Sequence, residues 1–381
     1  MRRLAFLALL FAAPALAANT DAGKYQAVLG DCAGCHGKTL AGGVALQMPF
    51  GTLVTPNITP DRDTGTGNWS AADFRKAMKT GVAPGGKLLY PAMPYPAYAH
   101  MPDGDVDALF AYLRTVRPVK NAVRVNRLRF PFNIRFLMRG WNLLFFHPEN
   151  GAGGSRGRYL VEGPAHCGTC HTPKNLLGAD KAPALSGAVL AGWYAPDLTG
   201  DRVTGLASWS KAGLVEYLKT GRNSHSIASG PMAEAVENST ALMTDGDLDA
   251  IATYIKGLPA AGGNGGGVPR GDMQVQAGVA VYRLNCSACH GADGKGSAIF
   301  PPLAGNPNVR QASAETLARV VLAGTRGAAT KGAPTGQGMP SLGWKLDDAA
   351  VANVLTYIRN NWGNSAPAVE AGLVERVRAA K

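Results

Sequence analysis

At 381 residues, with 49 Gly and 25 Pro, the chain has room for two or three domains and favours short helices joined by long turns. Its formal charge of +12 comes from basic residues scattered along the chain, unlike a nucleic-acid-binding face, where Lys and Arg cluster on one binding fold. No G-x-G-x-x-G opens a βαβ pattern, which argues against a flavin or nucleotide site.

In chain order, Arg2 and Arg3, the apolar run Leu4 to Ala13 and the small residues of Ala15-Leu16-Ala17 predict a secretory signal over residues 1–17. The run falls short of the ~20 residues needed to span a bilayer. Removal after Ala17 leaves 364 residues with charge +10. The compartment predicted for them is the periplasm, at the outer face of the cytoplasmic membrane through a partner or surface contact.

The six cysteines fall in three copies of one motif: Cys32-Ala-Gly-Cys35-His36, Cys167-Gly-Thr-Cys170-His171 and Cys286-Ser-Ala-Cys289-His290. C-x-x-C-H is the attachment signature of c-type haem. Two thiols three residues apart on a helical turn can each add to one vinyl group, and the following His lies beneath the iron as its proximal ligand. Disulfides, zinc and a redox dithiol are the competing uses of paired cysteines. Three pairs, each followed by His and together using every cysteine, fit those uses poorly. Three haems would bring six propionates and lower the net charge to nearer +4.

More than the motif repeats. Ser70 and Ser210 are candidate N-caps of middle helices that stop at Gly81 and Gly221, each preceded by Trp (Trp69, Trp209). Residues 312–325 occupy this place in the third copy. A final helix follows in each copy, near Asp105 to Leu113, Asp247 to Ile255 and Ala349 to Ile358. Each carries a Tyr near its end (Tyr112, Tyr254, Tyr357) and an acid at its start (Asp103, Asp245, Asp347). The predicted organisation is signal 1–17, repeat one 18–120, linker 121–154, repeat two 155–260, a flexible Gly-rich linker 261–273, repeat three 274–365 and a helical tail 366–381. That tail would place Val369, Leu373 and Val377 on one face. The basic run Lys120 to Arg139 reads as a solvated linker or as a contact for a partner or lipid headgroups.

An iron that only transfers electrons usually has a sixth ligand, commonly Met. In repeat three the candidate is Met339, followed by Pro340. Repeats one and two each offer two, Met93 or Met101 and Met232 or Met243. Aligning the final helices puts Met101 and Met243 in the column of Leu346, as apolar packing beneath a helix start. Met93, Met232 and Met339 are therefore the favoured ligands. His100 competes for iron in repeat one. His166, beside Cys167, is expected near a propionate or solvent, and His147 and His225 read as loop histidines.

Each repeat thus runs helix, C-x-x-C-H, Gly/Pro-rich loop, middle helix, Met-bearing loop and final helix. This order resembles the class I cytochrome c domain, so the expected fold is all-α, three such domains in tandem. The whole chain resembles the three-haem cytochrome c subunits of bacterial membrane-associated dehydrogenases acting on alcohol, gluconate, sorbitol or fructose, with relatives serving molybdenum hydroxylases. The stretches that carry the resemblance are Thr55-Pro-Asn-Ile-Thr-Pro60, Tyr90-Pro-Ala-Met-Pro-Tyr95, Pro131-Phe-Asn133 with Trp141, Pro196-Asp-Leu-Thr199 and Gly230-Pro-Met-Ala-Glu234 with Ser239-Thr240. The resemblance implies an electron carrier with no catalysis of its own. It would take electrons from a catalytic subunit of flavin, pyrroloquinoline quinone or molybdenum type and pass them to quinone or a respiratory cytochrome. A haem enzyme such as a peroxidase needs a displaceable iron position, whereas every repeat supplies a Met. The cytochrome subunit of a terminal oxidase usually carries its own membrane anchor.

Overall fold

The computed structural model describes residues 20–148, 153–263, 266–297 and 299–380. The signal segment 1–17 lies outside them. The chain divides into two compact units, one ending at Thr169 and one beginning at Cys170.

In the first unit, helix α1 (20–29) leads into the short α2 (Cys32–His36) of the first motif. Strands β1 (Ala45–Met48) and β2 (Gly51–Val54) follow, then α3 (Ala71–Thr80). Ser70 and Asp73 close α3 with a reciprocal capping box, and Gly81 ends it in the left-handed conformation, φ 67°. The small ladder β3 (Val82–Ala83) and β4 (Lys87–Leu88) precedes α4 (Tyr95–Tyr98) and α5 (Asp103–Leu113). Asp103 and Asp105 sit in the first turn of α5, as a helix dipole favours.

Helices α1 and α5 touch at a glycine. A Cβ on Gly23 would stand 1.9 Å from the Ala108 carbonyl oxygen and 2.8 Å from Tyr112 Cβ. Only a residue without a side chain lets the two backbones come so close.

The linker expected over 121–154 is folded in its described part up to residue 148. β5 (Arg127–Leu128) adds to β2 to complete a three-stranded antiparallel sheet. Helix α6 (Met138–Phe145) then lies on the loop before α4: Tyr95 donates its hydroxyl to Asn142 Oδ1 at 2.6 Å, and the Trp141 and Phe146 rings meet Tyr95 edge-on. Helix α7 (Arg156–Glu162) also belongs to this unit. Tyr159 of α7 donates to Asp105 at 2.5 Å, and His166 packs edge-on against Tyr98 at 5.7 Å. Those contacts explain why the division between compact units falls inside the second motif instead of in the 121–154 segment.

The second unit takes up at Cys170, in the short helix α8 (Gly168–His171), and continues through the hairpin β6 (Ala188–Leu190) and β7 (Trp193–Ala195). It then contains α9 (Lys211–Thr220), α10 (Pro231–Asn238) and α11 (Asp245–Lys256). Ser210 caps α9 and Gly221 stops it at φ 79°, as its composition predicts. Helix α12 (Met273–Asn285), α13 (Ser287–His290), α14 (Pro307–Arg310) and α15 (Glu315–Ala323) follow. A short ladder of β8 (Thr325–Arg326) and β9 (Gly338–Met339) leads to α16 (Asp348–Arg359) and α17 (Ala371–Ala379).

Gly278 of α12 repeats the close crossing. Its Cβ would lie 2.3 Å from the Asn353 carbonyl oxygen and 2.6 Å from Tyr357 Cβ. The Tyr near the end of the final helix thus marks, in both places, the spot where a glycine lets two helices touch. Arg359, 1 % exposed, donates to the carbonyls of Val309, Gln311 and Pro367 and fastens the end of α14 and the segment before α17 to α16.

The tail forms a helix, and its expected face packs inward with Val374 added to it. Val369 precedes α17, and the buried residues are Val369, Val374 and Val377, packed with α15 and α16, while Leu373 is only partly buried. The Gly-rich linker is pinned on both sides of its undescribed residues. Gly263 N–H donates to Asp201 Oδ2 at 2.9 Å and Val268 N–H to Asn360 Oδ1 at 3.0 Å.

Within this unit the second and third repeats interlock. Thr316 exchanges hydrogen bonds with the backbone of Tyr194, Arg319 donates to the Gly192 carbonyl at 2.8 Å, and Arg326 pairs with Glu237 at 2.8 Å.

Candidate haem-attachment sites

Each C-x-x-C-H stretch forms a short helical turn ending at its His. The ring of each His is fixed the same way. His36 Nδ1 lies 2.8 Å from the Pro56 carbonyl oxygen, His171 Nδ1 2.7 Å from that of Pro196, and His290 Nδ1 3.0 Å from that of Pro301. A carbonyl only accepts, so Nδ1 carries the proton and the lone pair is on Nε2, the form required of a metal ligand. Burial lowers the pKa of all three rings and keeps them neutral.

The proline carbonyls were not foreseen from the sequence, although the stretches holding two of them were noticed. Asn57 follows Pro56, and its Oδ1 accepts from Thr59 N–H at 2.9 Å and from the Thr59 hydroxyl at 2.8 Å. Asp197 follows Pro196; its Oδ1 accepts from Thr199 N–H at 2.7 Å and its Oδ2 from the Thr204 hydroxyl at 2.8 Å. A second turn repeats four residues on, where Asp61 and Asp201 each accept from the N–H three residues later, that of Thr64 and of Thr204. These side-chain-capped turns hold the proline carbonyl against the imidazole. The shared pattern Pro-Asn/Asp-x-Thr is the signal that could have found the first two; Pro301, followed by Pro302-Leu303-Ala304, lacks it.

No disulfide joins any of the six cysteines. Burial pushes the Cys32 thiol up to about 12, with a smaller push from Asp31, and burial raises Cys286 to about 11. A redox dithiol or a zinc thiolate needs the opposite shift. Among the described residues no cluster of three His, Cys, Asp or Glu could hold a metal ion. What the segments offer instead is a pair of cysteines one helical turn apart beside an oriented imidazole, which is the donor set for covalent haem.

Of the methionines, Met101 and Met243 are each 1 % exposed and sit beneath α5 and α11 as core residues. Met93, Met232 and Met339 are half-buried. Met93 occupies the turn before α4, its N–H donating to the Tyr90 carbonyl and its own carbonyl accepting from Tyr95 N–H. Met232 begins α10 beside Tyr217 and Val236, and Met339 lies on β9 against the core of α15 to α17.

The remaining histidines are placed as follows. His166 is half-buried. It sits against Tyr98 with a left-handed backbone, φ 37°, and burial lowers its pKa. His225 stacks on Trp209 at 5.3 Å. His100 is half-buried in the loop between α4 and α5, and His147 is exposed.

The cytochrome c family profile matches residues 21–117 and 275–362. The chain is 39 % identical to the gluconate 2-dehydrogenase cytochrome c subunit of Pantoea cypripedii, over 91 % of this chain and 86 % of that one. It belongs to the cytochrome c family. This cytochrome is also 37 % identical to the fructose dehydrogenase cytochrome subunit of Gluconobacter japonicus, over 94 % of its own length and 82 % of the relative's. A nicotinate dehydrogenase subunit of Pseudomonas putida is 40 % identical over 92 % of this chain, which spans 31 % of that longer protein. Membership brings covalently bound haem c as the cofactor, and the oriented imidazoles beside paired cysteines fit it.

Proposed function

We propose that this cytochrome is the electron-transfer subunit of a dehydrogenase complex. It takes electrons from a separate catalytic subunit of flavin, pyrroloquinoline quinone or molybdenum type and delivers them to quinone or another respiratory acceptor. The observation that carries this reading is the near full-length likeness to cytochrome subunits of gluconate and fructose dehydrogenases. The likeness favours a carrier over the peroxidase alternative.

In finer detail, three haems c are attached through Cys32 and Cys35, Cys167 and Cys170, and Cys286 and Cys289. Their irons are held by His36 with Met93, His171 with Met232, and His290 with Met339. Haem supplies a one-electron couple at each site, and the chain holds each imidazole in place. Three cytochrome c domains, at 18–120, 155–260 and 274–365, would each wrap one haem. The imidazole-to-proline bond, made three times, supports that count. The domains are joined by 121–154 and 261–273 and followed by the tail 366–381. Residues 1–17 direct the chain to the periplasm, where it works at the outer face of the cytoplasmic membrane.

Isolation of the native complex tests the role. A dehydrogenase catalytic subunit should accompany the chain, and its substrate should reduce the haems. Recovery with an oxidase core instead, or turnover of peroxide by the isolated cytochrome, would overturn it. Intact mass of the holoprotein tests the count, with three haem additions expected and two refuting it.

A further inference from the structure

Between Asp107 and Glu149 the chain has seven Arg, one Lys and no carboxylate. The same stretch carries seven of the fifteen large apolar side chains exposed among the described residues. They crowd around α6. Phe130 is 78 % exposed, Phe136 67 %, Leu143 80 % and Leu144 63 %. Helix α6 is inverted relative to a surface helix of a globular protein, whose outer face is polar. Asn142 and the Trp141 ring edge face Tyr95, while Leu143 and Leu144 face out together with Arg139.

The patch is not a loose tether. Arg135 donates to the Leu88 carbonyl at 2.6 Å and covers the Tyr90 ring at 4.7 Å. Tyr90 donates its hydroxyl to the Phe132 carbonyl at 2.8 Å. Upstream, β5 is paired to β2, and Arg124, Arg127 and Arg129 are exposed beside it. A firm platform therefore presents apolar side chains on a stretch whose ionised groups are all cations.

We propose that residues 124–146 form a peripheral contact with an anionic phospholipid surface. Charge decides the occupant: every ionised group on the stretch is positive, and cations around exposed Phe and Leu are what a helix in the interfacial plane requires. Among the described residues no helix is long and apolar enough to cross a membrane, so the contact is interfacial. Because the inner side of the platform rests on Tyr90 to Tyr95, binding would turn the loop of Met93 toward the lipid. That last consequence, a first haem edge near a lipid-soluble acceptor, rests on the electron-transfer role proposed above; the lipid contact does not.

The test is co-sedimentation of the mature holoprotein, without partner subunits, with vesicles of phosphatidylglycerol and phosphatidylethanolamine, and with phosphatidylcholine alone. Binding is expected to the anionic vesicles and to fall in high salt. The double variant Leu143→Ser, Leu144→Ser should lower partition by at least about tenfold. The triple variant Arg124→Gln, Arg127→Gln, Arg129→Gln should lower it by about a hundredfold. An unchanged haem absorption spectrum serves as the check on folding. No binding of the unaltered protein to anionic vesicles, or undiminished binding of either variant, overturns the inference. If the leucines matter only for co-purification with a catalytic subunit, the surface is a protein contact; the lipid inference then fails while the electron-transfer role stands.

Discussion

Replacing Asn57 by Ala isolates the turn that holds the first proximal imidazole. Asn57 is 3 % exposed and makes four hydrogen bonds: two accepted from Thr59, and two donated, to Val119 O at 2.7 Å and Thr64 Oγ1 at 2.9 Å. A typical net loss of ~1 kcal/mol per bond, with the buried Thr59 N–H left unsatisfied, sums to about 4 kcal/mol, which water entering the gap reduces to about 3 kcal/mol. Asn57→Asp keeps both acceptor contacts and loses both donors, so about half that loss is expected. At position 197 the natural residue is Asp, whose Oδ2 accepts from Thr204, and Asp197→Asn should cost about 1–2 kcal/mol in the second unit by presenting a donor there. The assay is denaturant unfolding of the holoprotein, together with the potential of the first haem. A freed Pro56 carbonyl no longer polarises the His36 Nδ1–H, so the imidazole donates less charge and the potential should rise. An Asn57→Ala protein with an unchanged midpoint and unchanged potentials would refute the idea that this turn positions the ligand.

Three further outcomes are expected. Met101→Ala should cost about 2–5 kcal/mol of stability while keeping the long-wavelength absorption band of a sulfur-ligated ferric haem, whereas Met339→Ala should lose that band at one haem; near-infrared and visible spectra distinguish them. Gly278→Ala pushes a methyl group against the Asn353 carbonyl and should destabilise the third repeat by about 3 kcal/mol, read by thermal unfolding. His166 has a folded pKa below its ordinary 6.5 because it is buried, so the unfolded chain binds the extra proton first. Its contribution is therefore complete above about pH 6.5 and is lost as pH falls through the folded value. His166→Asn should flatten the stability difference between pH 5 and pH 8.

What the sequence made legible was whatever is settled within one turn of chain. The haem motifs, the caps Ser70 and Ser210 and the stops Gly81 and Gly221 depend on residues three or four apart, and the structure places each cap and stop where its local chemistry predicts. What stayed illegible depends on partners far along the chain. Gly23 and Gly278 look like weak helix residues until Ala108 and Asn353 are seen against them. Pro56, Pro196 and Pro301 lie 20, 25 and 11 residues from the imidazoles they fix, a variable distance that no spacing rule captures. The basic run Lys120 to Arg139 left a solvated linker and a contact surface both open, and nothing in its own residues shows that Tyr90 and Tyr95 reach across about 45 residues to Phe132 and Asn142. The same reasoning explains the tail. An apolar stripe on a terminal helix suggests a free amphipathic face, but Val374 and Val377 bury against α15 and α16 and stop being available to any other surface. In α6 the distribution is reversed: the ring that could have been buried outward is turned inward onto Tyr95, and Leu143 and Leu144 remain exposed. Of two short helices with similar apolar content, one is therefore structural and the other presents a surface. The difference lies in which face the neighbouring chain already occupies.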